Sequence, residues 1–276
     1  MNPVHGVNHY ENFPVASILT PRRLRPAVIA IYRFARTADD LADEGDASAS
    51  QRLTDLGAYR RDLSAVAGGQ QPSSRWRGVF GPLAAVMHRH SLPTSLFEAL
   101  LSAFEQDVTT TRYATRRDLL DYCARSANPV GRLLLHLYGV ADEHALERSD
   151  AICTALQLIN FWQDLSVDLR RGRIYLPLAD CRRFDVDPAA LLARRDSSAT
   201  RALVADACCW ARETMMHGAP LSGTLRGRLG WELRVVIQGG LRILEKISRL
   251  DHATMVHRPR LRVGDALPLL WRAALM

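Results

Sequence analysis

Lysine and cysteine are scarce in this 276-residue chain. Lys246 is the only lysine among 36 basic residues, so arginine carries nearly all of the positive charge. The five cysteines are odd in number and show no CxxC spacing. This argues against a disulfide framework or a zinc motif and favours a reducing compartment. No apolar run approaches the roughly 18–20 residues of a membrane-spanning helix, and residues 1–13 lack the apolar segment of a secretory signal. We therefore expect a cytoplasmic protein that at most touches the inner face of a membrane.

The charge balance is basic, with 36 basic and 29 acidic residues and a formal net charge of +7. Such a balance attracts anions. The arginines are dispersed and no basic-aromatic motif interrupts them, so we expect no nucleic-acid partner. The apolar fraction of 47% and charged fraction of 24% are typical of a chain with a packed core.

Apolar residues recur at steps of three and four along most of the chain, and alternating β-branched runs are missing. The sequence therefore predicts an all-α fold, a single-domain helical bundle over residues 1–276. Helices are predicted over 26–44, 50–67, 116–127, 130–138, 143–169, 188–193, 199–216, 225–249 and 263–274, and from about 78 and 94. Thr94 and Ser95 are candidate caps for one of them. Gly172 permits the left-handed turn that ends the helix over 143–169.

The first acidic cluster lies in the helix over 26–44. Asp39 and Asp43 are four residues apart, so their side chains lie about 40° apart on one helix face, where like charges repel. Tyr32 and Arg36 share that face. Two interpretations stay open, a solvated acidic surface or a site for a cation.

A second polar stripe runs along the helix over 143–169. Gln157, Asn160, Asp164 and Asp168 follow at steps of three, four and four in an otherwise apolar segment. A helix that is apolar nearly all round is buried, so we expect its stripe to face partners inside the protein. The alternative is an amphipathic helix with one wet face. Oxygen donors alone on both stripes favour Mg²⁺.

Four motifs carry a resemblance to a known family. They are YRFARTADDLADE over 32–44, the segment over 157–177 that ends DLSVDLRRGRIYLP, HYENF over 9–13 and YCARSANPVG over 122–131. In this order and spacing the sequence resembles the squalene/phytoene synthase family of head-to-head prenyl diphosphate enzymes. The resemblance implies an all-helical isoprenoid-synthase fold with a central cavity, in which Mg²⁺ holds a prenyl diphosphate between two aspartate-rich helices.

The resemblance also assigns roles to individual residues. The metal ligands it implies are Asp39, Asp43, Asn160, Asp164 and Asp168. The residues it places on the diphosphate are His9, Arg36, Gln157 and Arg258. The catalytic set it implies is Tyr32, Arg36, Tyr122, Asn160 and Asp164, with the two tyrosines near the reacting carbons. Neighbouring pathway enzymes are the other partners it suggests.

Two phrases narrow the resemblance to one branch. NFPVAS over 12–17 and GGLRILEKI over 239–247 are most similar to enzymes that convert presqualene diphosphate to hydroxysqualene. Asn12, Gln163 and Gly240 replace the serine, arginine and tyrosine of many family members, which argues against the condensation of two substrates. No GxGxxG motif is present, in keeping with a reaction that uses no nicotinamide.

Two other functions stay open. One is head-to-head condensation of two farnesyl diphosphates to presqualene diphosphate, squalene or dehydrosqualene. The other is an inactive homologue that binds a prenyl lipid. The basic, apolar segment over 255–276 has two interpretations as well, a helix packed on the bundle or an edge that touches anionic membrane.

Overall fold

The computed structural model describes residues 20–276, and every regular element in that range is helical. The α-helices are α1 (Arg25–Asp43), α2 (Ala49–Ala67), α3 (Arg77–His90), α4 (Thr94–Thr109), α5 (Arg116–Ser126), α6 (Asn128–Leu137), α7 (Glu143–Asp168), α8 (Leu178–Arg183), α9 (Pro188–Leu192), α10 (Ser198–Gly218), α11 (Leu221–Thr224), α12 (Gly227–Arg249) and α13 (Ala266–Leu275). Short 3₁₀ helices cover Leu169–Arg171 and Val263–Asp265. The predicted all-α class is confirmed. Within the described range, no helix is both long and apolar enough to cross a membrane.

The ends of the two aspartate-bearing helices follow from local chemistry. α1 begins with a proline in its first turn, where a missing N–H costs nothing. The Asp142 side chain caps α7 by accepting a hydrogen bond from the Ala145 N–H. α7 runs into the 3₁₀ turn and stops at Gly172, whose φ of +75° is left-handed, as the sequence predicts.

One predicted cap is wrong. Residue 93, a proline, takes the N-cap position of α4, and no side chain caps that helix. Thr94 is instead its first helical residue. The helix therefore begins one residue earlier than a Thr94 cap would place it, because the proline fixes an extended backbone at the N-cap position.

The buried apolar residues form two separate clusters. One is built from α1 to α4 with part of α6, and the other from α5 and the helices from α7 to α12. α1 and α7 therefore belong to different halves of the core. The α1 face that carries Tyr32, Arg36, Asp39 and Asp43 is only partly buried, so it lies outside the packed cluster of its own half.

Glycines let three helices approach α7 closely. A Cβ atom added at Gly131 of α6 would lie 2.5 Å from Ser149 Oγ. At Gly218 of α10 it would lie 2.5 Å from the Arg148 carbonyl oxygen and 2.6 Å from Ile152 Cγ1. At Gly240 of α12 it would lie 3.1–3.2 Å from three apolar side chains. These contacts fix α7, and with it the second polar stripe, relative to its neighbours.

Replacement of Gly218 by alanine should destabilise the protein. The new methyl group meets backbone as well as a side chain, so we expect the free energy of unfolding to fall by about 2–3 kcal/mol. Gly81→Ala is the matched control, because Gly81 is exposed within α3 and has open space around it. There alanine should stabilise by about 0.5–1 kcal/mol. Urea unfolding measures both, and equal effects would contradict the close approach of α10 to α7.

Candidate active site

The α1 part of the site is an arginine among carboxylates. Arg36 Nη1 donates a hydrogen bond to Asp39 Oδ2 at 2.9 Å, and Arg36 Nη2 lies 2.5 Å from Asp40 Oδ1. The helix buries Phe34, Ala38 and Ala42 on its opposite side. Partial burial is the main reason that the pKa of Asp39 rises to about 6, with Arg36 opposing the rise and neighbouring carboxylates adding to it.

Arg173 joins the end of α1 to the end of α7. Its two terminal nitrogens donate to both oxygens of Asp43, at 2.8 and 2.5 Å, and Nη2 also donates to the Asp107 carbonyl oxygen at 3.1 Å. Arg171, two residues earlier, lies 3.6 Å from Asp43. The two aspartate-bearing segments therefore meet across an arginine, which is a bidentate and largely buried contact.

The α7 part of the site has its own arginine. Arg258, from the segment between α12 and α13, donates to both oxygens of Asp164 at 2.6 and 2.7 Å. Asp168, one turn further on, has its pKa raised to about 7, first by burial and then by the charge of Asp164. Arg173 is among the charges that oppose this rise. The structure thus brings Arg258 to the second aspartate stripe.

Two hydrogen bonds hold the segment that carries Arg258. Gln163 Nε2 donates to the Pro259 carbonyl oxygen at 2.7 Å, and the Ser166 N–H donates to the Thr254 carbonyl oxygen at 3.1 Å. Gln163 is almost completely buried. The glutamine that departs from the family pattern therefore anchors this segment to α7.

The prediction of a buried polar stripe on α7 is wrong at its centre. Asn160 is exposed and Gln157 is half-buried, while Leu158, Ile159 and Phe161 on the other sides are buried. Among the described elements, α5, α6, α10 and α12 pack on the other faces of the helix. The amphipathic alternative describes α7 better.

Asp107, a half-buried residue with one fully buried carboxylate oxygen, is a part of the site that the sequence analysis missed. Tyr122 Oη donates a hydrogen bond to Asp107 Oδ2 at 2.8 Å. Asp107 Oδ1 is buried and has no hydrogen-bond partner among the residues that the structure describes. Burial raises the pKa of Asp107 to about 7, against the opposing effects of Tyr122 and Arg173. Its position in the last turn of α4, where negative charge opposes the helix dipole, is the sequence signal.

Aromatic rings surround this carboxylate. Tyr175 stacks on Phe161 with ring centroids 3.8 Å apart, and Tyr113 lies 5.9 Å from Tyr175 and 5.5 Å from Tyr122. Burial raises the pKa of Tyr122 and Tyr175 well above the usual range, so both stay protonated. The predicted Tyr122 is thus part of an aromatic cluster beside Arg173, whereas Tyr175 and Arg173 themselves were not predicted.

Replacement of Asp107 by asparagine should change how stability depends on pH. The unfolded carboxyl group ionises near pH 4 and the folded one near pH 7. Between these values the native state holds a proton that the unfolded state has lost, so the wild type loses stability as the pH rises. Relative to wild type, Asp107→Asn should gain roughly 2–4 kcal/mol of stability between pH 4 and pH 8. Urea unfolding without Mg²⁺ measures this, and a pH-independent difference would contradict it.

The donor atoms fit Mg²⁺. Within residues 20–276, no three acidic, histidine or cysteine side chains lie close enough together to bind one ion by themselves. Mg²⁺ commonly takes one or two carboxylates and completes its shell with water and substrate phosphates, so two short carboxylate sets suit it. Burial raises the pKa of Asp39 and of Asp168 even though Arg36 and Arg173 oppose the rise. A divalent cation beside these carboxylates would favour their ionised form.

Of the remaining predicted residues, the structure describes Tyr32 but not His9. His9 lies outside the described residues, as does Asn12. Tyr32 is half-buried on the same α1 face as Arg36 and Asp39. The structure therefore brings the predicted aspartates, Arg36, Arg258 and Tyr122 to the helix ends around Arg173, and leaves Asn160 on the open face.

Comparison with known proteins identifies the family. The sequence matches the squalene/phytoene synthase family over residues 7–265. The chain belongs to the squalene/phytoene synthase family. A hydroxysqualene synthase from Rhodopseudomonas palustris is 31% identical over 245 residues, which cover 87% of this chain and 80% of that protein. A hydroxysqualene synthase from Zymomonas mobilis is 40% identical over 182 residues, covering 63% of this chain and 57% of the relative, little more than half of its length.

Solved structures support this membership. The crystal structure of squalene synthase HpnC from Alicyclobacillus acidocaldarius superposes with a TM-score of 0.81 at 36% identity, covering 88% of this chain and 90% of that one. Phytoene synthases and a presqualene diphosphate synthase are also relatives. The predicted family, its isoprenoid-synthase fold and the similarity to hydroxysqualene synthases are thus confirmed.

Proposed function

We propose that this squalene/phytoene synthase family member converts presqualene diphosphate to hydroxysqualene with release of diphosphate, in a Mg²⁺-dependent reaction. One observation carries the proposal. Asp43 of α1 and Asp164 of α7 lie on helices from different halves of the core. Arg173 donates hydrogen bonds to both carboxylate oxygens of Asp43, and Arg258 donates to both of Asp164. The C-terminal ends of α1 and α7 therefore carry carboxylates that can bind Mg²⁺ and arginines that can bind diphosphate oxygens.

The proposal assigns the polar residues to the leaving group. Those that would hold Mg²⁺ are Asp39, Asp43, Asn160, Asp164 and Asp168. When bound, the metal neutralises charge that develops on the departing diphosphate. Arg36, Gln157, Arg258 and His9 would contact the diphosphate oxygens. Arginine suits this because its planar fork matches two phosphate oxygens at once.

The aromatic residues are assigned to the carbon skeleton. Tyr32 and Tyr122 would lie near the reacting carbons, with Phe161 and Tyr175 behind Tyr122. Aromatic faces stabilise a cation, and apolar walls keep water away until the proper step. Asp107 positions Tyr122, because it accepts the hydrogen bond from that hydroxyl group.

The reaction balances without a reductant. The carbon–oxygen bond to the diphosphate breaks, and its electron pair leaves with the diphosphate. A water oxygen then forms the new carbon–oxygen bond to the rearranged cation and gives up a proton. The product is an alcohol, so no hydride donor takes part.

Condensation of two farnesyl diphosphates is the second candidate, because a presqualene diphosphate synthase is among the relatives. The surroundings of Gly240 favour the first candidate. A Cβ atom there would lie 3.1 Å from Leu156 Cδ2 and Met215 Cε and 3.2 Å from Ile159 Cδ1, so no tyrosine ring fits without movement of α7 or α10. Gln163 is likewise occupied with Pro259. The groups common in two-substrate members are replaced by packing contacts.

Incubation with single substrates tests the proposal. Purified protein with Mg²⁺ and no NADPH should convert presqualene diphosphate to a secondary allylic C30 alcohol and leave farnesyl diphosphate unchanged. Turnover of farnesyl diphosphate alone would establish the condensation instead. An inactive homologue would turn over neither substrate. We propose that residues 1–276 form one domain of a cytoplasmic protein. Neighbouring pathway enzymes are the proposed sources of its substrate and users of its product.

A further inference from the structure

The C-terminal helix α13 exposes an apolar surface. Four large apolar residues have most of their surface exposed: Val263 94%, Leu267 80%, Trp271 68% and Leu275 72%. Leu270 adds to them at 45%. We call these five residues the C-terminal apolar face. Leu267, Leu270, Trp271 and Leu275 follow at steps of three, one and four and so lie on one side of α13, and Val263 precedes them on the 3₁₀ turn. Every exposed residue between 263 and 275 is uncharged.

The charged residues of the same segment form ion pairs with α12 instead. Asp265 is buried and bonds to Arg242 at 2.9 Å and to Lys246 at 2.6 Å, both on α12. Arg272 pairs with Glu245 of α12. Only Leu269 and Ala273 provide buried apolar contacts on α13. A helix that merely packs on a bundle in water has the reverse arrangement, with charge outside.

Basic residues border this face. Arg260 and Arg262 are exposed and immediately precede Val263, and the chain as a whole carries a net charge of +7. α13 has only 10 residues, too few to span a bilayer. Exposed leucines and a tryptophan beside arginines suit the boundary between anionic headgroups and acyl chains.

We propose that the C-terminal apolar face docks on the surface of an anionic bilayer, with α13 lying in the plane of the interface. The geometry also ties this surface to the site. The segment that leads into α13 carries Arg258, which holds Asp164, and is fixed to α7 through Gln163 and Ser166. Docking therefore sets the α7 end of the site at a defined orientation to the membrane. This inference stands independently of the reaction proposed above.

Co-sedimentation of the full chain with vesicles tests the docking. Wild type should bind vesicles containing phosphatidylglycerol at least tenfold more strongly than vesicles of phosphatidylcholine alone, and salt should weaken the binding. The double variant Leu267→Glu/Trp271→Glu should reduce the partition coefficient at least tenfold. Arg262→Gln should reduce it severalfold on anionic vesicles only. Met216→Glu is the matched control, because Met216 is a 54% exposed apolar residue on α10, and it should leave binding unchanged.

Three results would overturn the proposal. The first is that wild type fails to bind anionic vesicles. The second is that the double variant, shown to be folded by its thermal unfolding, binds as well as wild type, or that Met216→Glu weakens binding as much as the double variant does. The third is a concentration-dependent dimer, seen by sedimentation velocity without lipid, that the double variant abolishes, since the face would then join two copies of this chain.

Discussion

Replacement of Asp164 by alanine should reduce turnover of presqualene diphosphate by about a thousandfold, a rise of roughly 4 kcal/mol in the activation free energy. The variant removes one proposed Mg²⁺ ligand from α7. It also removes the carboxylate that accepts two hydrogen bonds from Arg258, so the guanidinium group loses its fixed position. Steady-state kinetics at saturating Mg²⁺ measures the loss, with the melting temperature recorded to show that the variant folds.

Asp206→Ala is the matched control for this prediction. Asp206 on α10 also pairs with two arginines, Arg116 and Arg183, but lies outside the site. Turnover should stay within about twofold of wild type, since surface ion pairs contribute little. If Asp164→Ala keeps more than a tenth of the wild-type rate, Asp164 is not among the groups that bind the leaving diphosphate.

Replacement of Arg173 by glutamine should lower both stability and activity. Arg173 and Asp43 are 16% and 19% exposed, so the variant leaves a largely buried carboxylate unpaired. Removal of one member of such a pair costs about 3 kcal/mol in the free energy of unfolding. Because the same arginine holds the end of α1 to the turn after α7, turnover should fall by about a hundredfold as well.

Arg171→Gln serves as the control, two residues before Arg173 in the chain. Arg171 also approaches Asp43, at 3.6 Å, but its side chain is 55% exposed. Its loss should cost less than about 0.5 kcal/mol. Urea unfolding and kinetics on both variants decide the matter: equal losses at the two positions would mean that the bidentate contact does not hold the two helix ends together.

The long helices were predictable because their apolar period is strong. The predicted ranges 26–44 and 143–169 agree within one residue with α1 (Arg25–Asp43) and α7 (Glu143–Asp168). α8 and α11 have six and four residues, too few to show a period, and both were missed. The cap of α4 was misassigned because a proline next to two hydroxyl residues leaves the first helical position ambiguous.

The site was predictable where it lies on a helix and less so where it lies on turns. Helical spacing alone places Asp39 beside Asp43 and Asp164 beside Asp168. Arg173 reaches Asp43 only because Gly172 reverses the chain after α7, and such a path is not visible in a periodic pattern. Asp107 and Tyr175 come from segments far apart in sequence. Their meeting depends on how α4 packs against α5 and on the loop before α8, which tertiary contacts decide.

A labelling experiment tests the central claim most directly. The protein is incubated with presqualene diphosphate and Mg²⁺ in water enriched in ¹⁸O, without NADPH, and the C30 product is analysed by mass spectrometry. Capture of the cation by water predicts hydroxysqualene that carries one ¹⁸O atom, with the unlabelled ester oxygen of the substrate retained as a terminal oxygen of the released diphosphate. An unlabelled alcohol, which phosphorus–oxygen cleavage would produce, or the absence of any C30 alcohol would contradict the account.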